Sequence, residues 1–111
     1  MLKTILITVG TTKYDELLKE INKKEFFQSL IKLGCKDLII QYGNTALPED
    51  FPKDKYISKD NEIINIQSYK FKFDNNENNS FKNDMLKSDL IISHAGNIYI
   101  NLLIINLLLI K

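Results

Sequence analysis

Two small-residue segments, each following an apolar run, hold the residue types that could do chemistry. Gly10-Thr11-Thr12 follows Ile5-Leu6-Ile7-Thr8-Val9, and His94-Ala95-Gly96 follows Asp89-Leu90-Ile91-Ile92-Ser93. Both read as a buried strand that ends in a turn. Glycine lets the backbone approach a ligand closely, and exposed N–H groups beside hydroxyls favour phosphate oxygens. In open α/β sheets ligands gather at the carboxyl ends of the strands, where these turns would fall. Two such turns on one small sheet predict a nucleoside-diphosphate site built from Gly10, Thr11, Thr12, His94, Ala95 and Gly96.

Composition narrows the chemistry further. All 15 basic residues are lysine. Without arginine there is no bidentate clamp for phosphate, so anion binding falls to backbone amides, hydroxyls, His94 or a lysine. The net charge of +1 lacks the basic footprint of a nucleic-acid binder. Cys35 is the single cysteine, which rules out an internal disulfide and a cysteine–histidine zinc cluster. Beside Gly34 it is expected to be a reduced thiol in a cytosolic setting. No metal and no cofactor is implied.

The elements that must position these residues follow from periodicity. At 111 residues the chain supports one domain at most. Leu2 to Val9 has the β-branched and leucine pattern of a strand buried on both faces of a parallel sheet. Thr12-Lys13-Tyr14-Asp15 fits a helix start with Thr12 as cap, and Leu17, Leu18 and Ile21 continue at helical spacing. Asp15 and Glu16 then fall in the first turn, where acids complement the helix dipole. A second helix is predicted from about Glu25 to Leu33, with Phe27, Leu30 and Ile31 on its stripe and Gly34 as its stop. Asp37 to Tyr42 is the next strand, and Gln41-Tyr42-Gly43 either closes it or lines a cleft.

Asn44 to Lys59, polar and holding Pro48 and Pro52, reads as a surface loop. A third strand is expected over Ile63 to Phe73, then an asparagine-rich insert over Asp74 to Asn79. Phe81 to Lys87 is a short helix with Met85 and Leu86 expected to face inward, and Leu90 to Ser93 is a fourth strand. This alternation predicts an α/β fold with a partial doubly wound parallel sheet. Residues 97–111 differ in kind. Ile98 to Ile110 is apolar except for Asn101 and Asn106, too short for a membrane-spanning helix and without the polar face of a surface one.

Three blocks in register resemble a known family. They are Thr8-Val9-Gly10-Thr11-Thr12-Lys13-Tyr14-Asp15-Glu16-Leu17, Leu38-Ile39-Ile40-Gln41-Tyr42-Gly43 and Ser88-Asp89-Leu90-Ile91-Ile92-Ser93-His94-Ala95-Gly96. They are similar to the catalytic, donor-binding subunits of the eukaryotic UDP-N-acetylglucosamine transferase that works on dolichol-linked N-glycan precursors. The resemblance implies the carboxyl-terminal half of a GT-B glycosyltransferase, Rossmann-like in fold. It implies a hexosyltransferase reaction in which UDP-N-acetylglucosamine is the donor and dolichyl-diphosphate-linked N-acetylglucosamine the acceptor. A membrane-anchored partner subunit would bind the acceptor and hold the pair on the cytosolic face of the endoplasmic reticulum. Gly10, Thr11 and Thr12 would form one wall of the donor site. His94, Ala95 and Gly96 would open the donor motif, with the histidine bonding a phosphate oxygen. Inversion without a metal is expected, and no catalytic base is assigned.

The family pattern continues with a small residue, a second glycine, a serine or threonine and, shortly afterwards, an acid, whereas this chain has Asn97, Ile98, Tyr99 and Ile100, with Leu102 near the acid's place. Residues 1–96 are therefore expected to be the amino-terminal part of a donor-binding domain. Residues 97–111 are expected to be translated intron or frame-shifted sequence. On that reading the other outcomes are an inactive truncated fragment that at most binds the partner, or an unrelated flavodoxin-like binding domain.

Overall fold

The computed structural model describes residues 2–9, 15–72 and 80–93. Along the chain run β1 (Thr4–Thr8), α1 (Asp15–Ile21), α2 (Lys24–Leu33), β2 (Asp37–Gln41), β3 (Lys55–Ile57), β4 (Ile63–Tyr69), α3 (Phe81–Lys87) and β5 (Leu90–Ser93). Among the described residues five strands form one sheet, in the order β3-β4-β2-β1-β5. β5, β1, β2 and β4 are mutually parallel, and only β3 is antiparallel to its neighbour β4. The expected α/β sheet is present, with one short antiparallel edge.

β1, between β2 and β5, is buried on both faces, as its unbroken apolar run requires: Ile5, Leu6 and Ile7 are all 0% exposed. Alternation along the strands sorts the core into two layers. Ile5, Ile7, Leu38, Ile40, Ile64, Ile66 and Ile92 pack with Leu17, Leu18 and Ile21 of α1 and Phe26, Phe27, Leu30 and Leu33 of α2. Leu6 and Ile39 are buried outside that cluster, on the other face. Tyr69 shares this second face by alternation, and its hydroxyl bonds Asp84 of α3. Helices thus lie on both faces, the doubly wound arrangement.

Local signals set the ends of α2 and α3. Gly34, at φ 86°, is left-handed, and the amides that close α2 bond Ile31 and Leu30 carbonyls, a Schellman ending that favours glycine. Ser80 caps α3, its Oγ accepting from the Asn83 amide at 3.1 Å.

Three expectations need correction. The segment read as a surface loop, 44–59, contains β3 and sends Thr45 and Phe51 into the interior at 1% and 3% exposure. The reason is aromatic packing: Tyr56 of β3 stacks on Phe27 with centroids 4.4 Å apart, and Phe51 lies 5.8 Å from the same ring. The strand expected to run to Phe73 ends at Tyr69. Met85 and Leu86 do not face inward; they are 41% and 75% exposed, and Asp84 is the buried residue of α3. A seven-residue helix has room for one anchored face, and here that anchor is a carboxylate held by three partners.

Candidate functional site

The site has to be built at the carboxyl edge of the sheet, where β1 and β5 end. These strands are direct neighbours, parallel, and in register from Ile5 opposite Leu90 to Thr8 opposite Ser93. Asp89 helps hold that register at the other end: its amide donates to the Thr4 carbonyl at 2.7 Å and its carboxylate accepts from the Thr4 amide at 2.9 Å. Both strands therefore stop level with each other, one inter-strand spacing of about 4.8 Å apart. The chain leaves toward Gly10 from one and toward His94 from the other at the same rim. The six residues singled out from sequence, Gly10, Thr11, Thr12, His94, Ala95 and Gly96, lie outside the described residues. So do Thr12 as a helix cap and the tail 97–111.

Beneath that rim runs a buried polar frame. Thr8 is the last residue of β1 and its register partner on β2 is Gln41. The Thr8 hydroxyl donates to Gln41 Oε1. Gln41 Nε2 donates to the Lys70 carbonyl at 2.9 Å, just past the end of β4. Backbone bonds run alongside: the Val9 amide to the Gln41 carbonyl at 3.1 Å, the Tyr42 amide to Tyr69 at 3.0 Å, and the Gly43 amide to Lys70 at 3.1 Å. Gly43 adopts φ 58°, and a left-handed position there is natural for glycine as the chain turns away from the sheet. Gln41-Tyr42-Gly43 therefore closes its strand, and Gln41 also cross-links three strand ends.

A second polar cluster holds α3. The Asp84 side chain is 1% exposed and binds the Lys72 ammonium at 2.9 Å and Lys87 at 3.5 Å. Tyr69 donates to the same carboxylate oxygen as Lys72, at 2.8 Å. The Lys72 ammonium also sits 4.5 Å from the centroid of the Tyr69 ring, a cation–π contact. Burial raises the Tyr69 phenol above its ordinary range, and the neighbouring Asp84 adds to the shift. Sequence reasoning missed this cluster because Tyr69, Lys72 and Asp84 belong to no spacing motif. The only local hint was an acid between two exposed apolar residues and a capping serine.

A cavity of about 620 Å³ opens beside the outer edge of β4, lined by Tyr42, Leu47, Phe51, Lys53 and Ser68 among others. It lies two strands from β1, and among the described residues none of the β1 or β5 ends lines it. Among the described residues no three His, Cys, Asp or Glu side chains cluster as metal ligands would. Among them also no helix is long and apolar enough to cross a membrane. Burial pushes the Cys35 thiol up to about 11, so it sits protonated in the core rather than acting as a nucleophile.

Comparison with known proteins places this geometry in context. The profile of the glycosyltransferase family 28 C-terminal domain matches residues 4–110. The UDP-N-acetylglucosamine transferase subunit ALG13 of Homo sapiens is 33% identical over 96 residues, covering 86% of this chain and 7% of the relative. The subunit of the same name from Mus musculus is 32% identical over the same shares of each chain. That of Cryptococcus neoformans is 29% identical over 114 residues, 85% of this chain and 54% of the relative. The chain thus spans 7% of the length of the two mammalian relatives. No solved structure matches it significantly.

Proposed function

This chain belongs to the glycosyltransferase family 28 C-terminal domain family, and on that premise we propose that it is the donor-binding part of a UDP-N-acetylglucosamine transferase. The observation that carries the reading is the pairing of β1 with β5, with Thr8 level with Ser93. The segments beginning at Val9 and His94 leave neighbouring strands at one rim, as a shared diphosphate cradle requires. The likeness to three subunits named for this transferase agrees with it.

In this reading Gly10, Thr11 and Thr12 supply amides and hydroxyls to one side of the donor, and His94, Ala95 and Gly96 supply the other. The acceptor hydroxyl attacks the anomeric carbon as the bond to the diphosphate breaks, with inversion. Charge builds on the departing uridine diphosphate, and fixed donors aimed at its oxygens lower the barrier. The relatives are named as subunits, so a second chain completes the enzyme. That partner is membrane-anchored, binds the dolichol-linked acceptor and holds this chain at the cytosolic face of the endoplasmic reticulum.

Titration of the chain with UDP, followed by heteronuclear NMR or calorimetry, tests the donor site. Saturable binding tighter than millimolar, lost on Gly96→Val and weakened on His94→Ala, is expected. Absence of saturable binding would sink the proposal.

A further inference from the structure

We propose that Gln41 is a positioning residue for the nucleotide-sugar site, its buried amide fixing the exit of β1, the strand that leads into Gly10-Thr11-Thr12. The inference rests on the donor-site reading above and adds to it a residue that need not touch the ligand.

Gln41 ends β2, the strand between β1 and β4, and is 3% exposed. Its register partners are Thr8 on one side and Tyr69 on the other. One end of its amide accepts from the Thr8 hydroxyl, and the other donates to the Lys70 carbonyl at 2.9 Å. The group thus reaches in both directions across the sheet, and on one side it meets Thr8, two residues before Gly10. The Val9 amide bonds the Gln41 carbonyl at 3.1 Å, so side chain and backbone of one residue both restrain the exit of β1.

The chemistry demands an amide. An amide puts an acceptor and a donor on opposite sides of one uncharged group at any ordinary pH, and glutamine reaches further than asparagine. A carboxylate here would set a negative oxygen against the Lys70 carbonyl. An aliphatic side chain would leave buried polar partners unmet, which is costly. The fold alone asks only for a β-former at a strand end, so a buried amide that cross-links three strands answers a different need. Thr8 is the last residue of β1, so whatever holds it also holds the exit toward Gly10-Thr11-Thr12, and the affinity for a uridine diphosphate there depends on how firmly that exit is held.

The test is UDP titration of the full chain by heteronuclear NMR, well below the melting point of each variant, with thermal melts recorded in parallel. Gln41→Met keeps the size and removes both polar ends, and it is expected to raise the Kd for UDP about tenfold or more. Thr8→Val removes the hydroxyl that Gln41 accepts and should act in the same direction. Thr8→Ser restores the hydroxyl and should bind like wild type. A purely structural role would lower Tm yet leave the Kd of the folded protein unchanged, which overturns this inference and leaves the UDP site standing. A wild-type chain that fails to bind UDP overturns both readings at once. Should Gln41→Met not fold, the Thr8→Val and Thr8→Ser pair decides alone.

Discussion

Tyr69, the last residue of β4, donates its hydroxyl to the Asp84 carboxylate of α3 at 2.8 Å. This bond ties one end of the sheet to the helix that feeds β5. α3 offers few apolar side chains to the core, so its placement depends on this carboxylate and its cationic partners rather than on a hydrophobic stripe.

Removing Asp84 should therefore be costly. Asp84→Ala would strand Lys72, whose side chain is only 11% exposed, and deprive Tyr69 of its acceptor. Breaking a buried pair from one side costs about 3 kcal/mol or more. Urea unfolding should show that loss, and Asp84→Asn, which can still accept from one partner, should lose less.

Alkaline pH should destabilise the fold. Burial lifts Cys35 from 9.0 to about 11, and burial together with Asp84 lifts Tyr69 above its ordinary 10.0. The unfolded chain gives up these protons at lower pH than the folded chain, so in this range the folded state binds more protons. Stability is then fully present below pH 9.0 and is lost as pH climbs through about 11. Thermal midpoints measured across the alkaline range should fall, and Cys35→Ala should flatten the first part of the decline. Tyr69→Phe should remove a phenol that titrates above its ordinary range from the ultraviolet difference spectrum.

Phe27 anchors the edge of the sheet. It is 2% exposed and stacks on Tyr56 with planes 9° apart. Phe27→Ala should cost about 4 kcal/mol. Hydrogen exchange should show the amides of β3 losing protection along with those of α2, because Tyr56 loses the surface it rests on.

Gly34 ends α2 at φ 86°. Gly34→Ala should destabilise by about 1 kcal/mol through the Cβ clash at that angle. Chemical denaturation should report a lower midpoint with an unchanged slope, as expected when compactness is unaltered.

Much of the fold was legible in the residue order. The apolar runs at Leu2–Val9 and Asp37–Tyr42 became buried parallel strands, the stripe over α2 faced the core, and Gly34 stopped that helix, because each rests on local periodicity or a local backbone angle. The errors had a shared cause. β3 is three residues long and is held by its pairing with β4 and by Tyr56 stacking on Phe27, far away in sequence. α3 was assigned the wrong inner face because a buried carboxylate violates the apolar-inside expectation unless its partners are known. For the candidate site, the two strand-end segments could be picked out from residue type, and β5 pairs beside β1. The frame under them could not be foreseen.

What the linear order determined by itself is the set of elements, the β-α alternation and the absence of arginine, which leaves anion binding to amides, hydroxyls, histidine and lysine. What only the tertiary structure decided is adjacency. Thr8 with Gln41 and Tyr69 with Asp84 are joined by hydrogen bonds across sequence gaps, and such bonds depend on angstrom-scale geometry that periodicity does not encode. Strand order and register bring these pairs together, and through them the sheet holds both its carboxyl rim and its second face.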